Sequence, residues 1–102
     1  MRLGRGRYAD VVERQLDLFE REDGELLDDV GRALDRYNAA EADDAEELYG
    51  DYQLAIEAAT DGLAGLRDAY SQTLDDRGAY VAAFNRAVTR RWPALALTIE
   101  ES

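Results

Sequence analysis

Apolar residues recur along this chain at steps of three and four, the period of an α-helix, and the every-other-residue alternation of a half-buried strand is nearly absent. With each residue turned by about 100°, Tyr8, Val11, Val12, Gln15, Leu16, Leu18 and Phe19 share one arc, with Glu13, Arg14, Asp17 and Arg21 opposite. Leu26, Leu27, Val30, Ala33, Leu34 and Tyr37 repeat the stripe. Leu26 follows Tyr8 by 18 residues, which is five whole helical turns. The stripe therefore keeps its phase across Glu22-Asp23-Gly24-Glu25, and the pattern allows one helix from about Tyr8 to Ala40. The competing reading breaks it at Asp23-Gly24, because glycine costs about 1 kcal/mol inside a helix and aspartate is a good N-cap. The phase match tips the balance slightly toward a continuous, bent helix.

Glu41 to Glu47 is polar on nearly every side and reads as a turn followed by an acid-rich helix start, which the helix dipole stabilises. Leu48, Tyr52, Ala55, Ile56, Ala59, Leu63, Leu66, Tyr70 and Leu74 then mark a second long helix over about 45–74. Gly50, Gly62 and Gly65 lie inside it, where close packing or a local bend explains them better than propensity. Asp75-Asp76-Arg77-Gly78 is the clearest turn, with Asp76 as N-cap of a third helix over about 79–91. Its stripe is Tyr80, Phe84, Val88 and Trp92, spaced by four. Pro93 biases Trp92 out of the helical region and ends the helix. The tail, 93–102, is either a short helix with Pro93 at its first position or extended.

These elements predict an all-α fold in one domain, 1–102, with a basic N-terminal arm over 1–7. A long antiparallel helical hairpin carries a shorter C-terminal helix. Such a hairpin leaves apolar surface along its outer length, and that surface marks an interface. Pairing two hairpins into a helical bundle by dimerisation would cover it. The interface candidates are Tyr80, Phe84, Val88 and Trp92 on the C-terminal helix, with Ile56, Leu63, Leu66 and Tyr70 on the long one. The C-terminal stripe reads first as core. Alternatively it is an amphipathic docking helix, since Trp, Tyr and Arg dominate interface hot spots. Tyr49 points off the stripe and reads as a surface contact.

Charge sharpens this picture. The chain has 23 acids against 12 cations, every cation is Arg, and the net charge is −11. Residues 1–7 carry +3, residues 8–76 carry −16, and residues 77–99 carry +4 with no acid. Basic ends on an acidic body point to packing of the ends against the body or against another copy. The overall sign disfavours nucleic acid and anionic membrane. No apolar run approaches the roughly 20 residues of a membrane span, and no secretory signal is visible, so a cytoplasmic protein is expected. The acidity reads first as solvation. Mimicry of nucleic acid is a weaker alternative that would need a spaced surface array of acids.

The composition also removes most catalytic chemistry, because Cys, His and Lys are all absent. No thiol or imidazole is present for nucleophilic catalysis or soft-metal ligation, and no amine for a Schiff base. Carboxylates remain, and carboxylates alone accept magnesium or manganese. Glu22-x-x-Glu25 and Glu41-x-x-Asp44 are separated by residues 26–40. That spacing resembles the all-α nucleoside triphosphate pyrophosphohydrolases, and the resemblance implies a metal held by two carboxylate pairs on neighbouring helices. The family's phosphate-handling lysines have no counterpart, and so acidic a chain yields such pairs by chance, Glu25-x-x-Asp28 among them. A solvated acidic face is the stronger reading. Asp28-Asp29, Asp43 to Glu47 and Asp75-Asp76 lack the alternating pattern of a calcium loop and read as caps and turns. The expectation is therefore a non-enzymatic protein without metal or cofactor that self-associates or binds another protein.

Overall fold

The computed structural model describes residues 6–102, so the basic arm over 1–7 lies largely outside the described residues. Among the described residues five α-helices follow one another: α1 (Ala9–Glu22), α2 (Gly24–Asn38), α3 (Ala42–Ser71), α4 (Arg77–Arg91) and α5 (Ala96–Glu101). A single 3-10 turn, Pro93–Leu95, joins α4 to α5. There is no strand among the described residues.

The first apolar stripe forms two helices rather than one. Asp23 separates them at φ −124° and ψ 25°. Its amide donates to the Phe19 carbonyl at 2.7 Å, closing α1, and its own carbonyl accepts from Leu26 at 3.0 Å, opening α2. The Asp23 carboxylate makes no cap hydrogen bond, so backbone geometry rather than a side-chain cap makes the break. The reason is tertiary. The α1 half of the stripe packs on α4 and the α2 half packs on α3, and one straight helix cannot face both.

The molecule is elongated, 55 × 26 × 23 Å. At one end α2 lies along the N-terminal half of α3 and forms an arm. At the other end α1, α4, α5 and the C-terminal half of α3 enclose the main core. Tyr8 meets Tyr80 edge-on at 5.5 Å and Phe19 meets Trp92 at 6.3 Å, so α1 and α4 run parallel. Val12, Leu16, Phe19, Leu63, Tyr80, Phe84, Val88, Leu95 and Ile99 are buried together. Gly62 lies where α1 and α2 both cross α3. A Cβ there would stand 3.0 Å from Phe19 Cε1 and 3.5 Å from Leu26 Cδ1, whereas one at Gly50 or Gly65 would meet nothing within 4 Å. Close packing therefore explains Gly62 and does not explain the other two.

The ends of α4 fall where the turn chemistry places them. Asp76 is at the N-cap, though its carboxylate pairs with Arg7 at 3.2 Å instead of with the helix amides. Trp92 leaves the helical region at φ −133° and ψ 80° ahead of Pro93. The tail then takes the helical alternative, with Pro93 opening the turn and Leu95 and Ile99 buried.

Candidate functional site

The C-terminal segment creates a groove by how it docks. Leu95 and Ile99, four apart, insert into the core, which fixes the face that α5 turns inward. Thr60 and Thr98 hydroxyls hydrogen-bond at 2.7 Å between α3 and α5. Arg67 anchors the far end. Its side chain is 3% exposed, with Nη1 donating to Asn85 Oδ1 at 3.0 Å and to the Ile99 carbonyl at 3.2 Å. Nη2 donates to the Ser102 carbonyl at 3.0 Å, and Nε to Asp68 at 2.8 Å. The guanidinium thus satisfies carbonyls that the end of a short helix leaves without partners.

With its inner face fixed, α5 turns Leu97 outward, 78% exposed. The groove beside it, about 280 Å³, is lined by Tyr49, Tyr52, Ile56, Ala94 and Leu97, with Glu57 and Glu101 among its polar residues. Tyr49, 45% exposed, is held between Tyr37 at 5.2 Å and Tyr52 at 6.3 Å. Tyr49 and Tyr52, their rings tilted against each other, give the groove an aromatic wall. Leu54 of α3 is also largely exposed.

The predicted interface residues divide by depth. Tyr80, Phe84, Val88, Ile56 and Leu63 are buried within the chain itself, and Leu66, Tyr70 and Trp92 are half-buried against the same core. Their stripes close on one another once α1 turns onto α4, so the five buried side chains are covered by this chain's own helices. Ile56 alone of the eight also lines the groove. Sequence reasoning missed Leu97, which sits in a segment of undecided conformation, and it missed Arg67. Arg67 had a visible signal: it follows Leu63 by four and precedes Tyr70 by three, so it is a charge on the buried arc.

The carboxylate pairs do not converge. Glu22 and Glu25 flank the start of α2, while Glu41 and Asp44 lie beyond its end, roughly 20 Å away at the rise of a 15-residue helix. No group of three or more acids among the described residues is placed to hold a metal ion. The four carboxylates that carry the resemblance to the pyrophosphohydrolases are therefore not brought together. No helix among the described residues is long and apolar enough to cross a membrane.

The chain matches no protein-family model, no curated protein and no solved structure. The functional reading rests on geometry alone.

Proposed function

We propose that this chain is a non-enzymatic helical protein that works by self-association, with the α3–α5 groove as the contact. The observation that carries the reading is Leu97, a leucine 78% exposed at the edge of an apolar cleft. Knob and hole in one patch make it self-complementary. Across a two-fold axis each copy's Leu97 can enter the other's cleft, the arrangement of an isologous dimer. Tyr49 and Tyr52 beside it are of the residue type that dominates interface energetics. Glu57 and Glu101 on the rim, and the net charge of −11, oppose approach. Added salt screens that repulsion while leaving apolar burial in place, so association strengthens with salt.

Absolute mass by light scattering, across protein and salt concentration, tests this. A dimer whose population rises with salt is expected. Leu97→Asp is expected to be monomeric with unchanged helicity, because the side chain supports no part of the core. A monomer under every condition, or a Leu97→Asp variant that keeps the parent mass, would overturn the reading.

A further inference from the structure

A second groove, independent of the first, lies between α1 and α4 and measures about 390 Å³. Its lining is small and apolar at Gly6, Ala9, Val12, Ala83 and Ala87, and α4 adds Arg86 and Arg90. The two arginines are one helical turn apart on the same side of α4, and both are exposed. Neither side chain makes an ion pair or hydrogen bond with any described residue. The acid in the lining, Glu13, is held by Arg91 Nη2 at 2.6 Å. Arg91 also holds Asp17 at 2.8 Å and Glu20 at 3.5 Å. Three carboxylates of α1, Glu13, Asp17 and Glu20, are thus gathered on Arg91, and residues 77–99 contribute no acid. Among the described residues, Arg86 and Arg90 are left without a paired carboxylate over a cleft.

A guanidinium offers a planar fork of donors that matches phosphate or carboxylate oxygens. Two forks whose Cβ atoms are about 5–6 Å apart suit two anionic groups on one small molecule. The cleft falls within the roughly 300–1,000 Å³ of small-molecule sites, and its small-residue floor leaves room for a carbon skeleton. We propose that the α1–α4 groove binds a small organic anion carrying paired anionic groups, phosphoryl or carboxylate, with Arg86 and Arg90 as its ligands.

The test uses the full chain, with inorganic pyrophosphate and citrate as separate probes, followed through the arginine Nε–Hε resonances by NMR. Saturable shifts at Arg86 and Arg90 are expected with at least one probe, and the probe that binds more tightly identifies phosphoryl or carboxylate chemistry. Arg14 and Arg36, also exposed and outside the groove, should not move. The double variant Arg86→Gln/Arg90→Gln should fold normally, since both side chains are exposed and unpaired. It should bind the probe roughly 100-fold more weakly, having lost two charge-assisted hydrogen bonds. No saturable response to either probe, equal shifts at Arg14 and Arg36, or full binding by the double variant would overturn the proposal. Because Leu97 is outside this groove, Leu97→Asp should bind the probe as the parent does, so failure of this inference is distinct from failure of the self-association reading.

Discussion

Gly62 and Tyr80 show how single positions carry the packing. Gly62 admits the Phe19 ring so closely that an added methyl group would stand 3.0 Å from Cε1 and the ring would have to shift by a few tenths of an ångström. Gly62→Ala gains up to about 1 kcal/mol of helix propensity but overpacks a buried aromatic contact, at a cost of roughly 1–3 kcal/mol. A net loss of about 1 kcal/mol is expected in urea unfolding. Gly65→Ala, facing open space, should instead be stabilising by up to about 1 kcal/mol. Tyr80 tests burial through pH. Its hydroxyl donates to Gln15 Oε1 at 2.7 Å, and burial pushes its pKa from 10.0 up to about 12. The unfolded chain therefore releases this proton first. Stability from this group is complete below about pH 10 and falls as pH rises toward 12, by on the order of 2 kcal/mol. Urea midpoints followed alongside tyrosinate absorbance should show that decline, and Tyr80→Phe should flatten it.

Helices α1 and α4 are joined by apolar contacts within and by one arginine at the edge. Arg91 gathers Glu13, Asp17 and Glu20 from successive turns of α1 and lies 5.5 Å from the Trp92 ring. Burial works against its charge, but the hydrogen bonds to Asp17 and Glu13 and the attraction of their charges together outweigh it and hold the guanidinium pKa above its ordinary value. Arg91→Gln leaves three like charges on one face of α1. A loss of about 1 kcal/mol is expected at low salt, and it should shrink as salt screens both the attraction and the repulsion. Unfolding midpoints of parent and variant at two salt concentrations provide the check. Element positions were largely legible: the stripes locate all three long helical segments, and Asp76 and Pro93 mark both ends of α4. The division at Asp23 was legible only as the less favoured of two alternatives, through Gly24 and the capping residue Asp23, because periodicity reports only which side of a helix is apolar. That the side before Asp23 meets α4 and the side after it meets α3 is a fact about neighbours.

Across the whole molecule, stability is expected to be uneven. Helix α2 packs chiefly on α3, and its buried side chains are Val30 and Ala33. The helices of the other end surround a core that includes Leu16, Leu63, Tyr80 and Phe84, all fully buried. Amides of α2 and of the first half of α3 should therefore exchange with solvent faster than those of α4 and the second half of α3. Hydrogen exchange resolved by residue reads this directly, and uniform protection would contradict it. Charge follows the same division. The acid-free stretch 77–99 includes Arg91, which faces α1, while Asp43, Asp44, Glu46 and Glu47 stand exposed at the tip of the arm. Through Arg91 the basic segment thus meets the acidic body within one chain, one of the two arrangements its charge pattern allows.

The amino-acid order determined the helical class, the turn at Asp75-Asp76 ahead of α4, the stop at Pro93 and the chemistries that three missing residue types remove. Each depends on local backbone preference or on composition, and both are written in the order of residues. Tertiary structure decided which apolar faces close on one another. Tyr80, Phe84 and Val88 read first as core, but their stripe and Leu63 also suit a partner until α1 turns at Asp23 and covers them. It also decided where Leu97 points, because Leu95 and Ile99 insert into the core and Arg67, 32 residues before Ile99, anchors the end of α5. A surface groove is a relation between elements distant along the chain, and periodicity within one element cannot specify it.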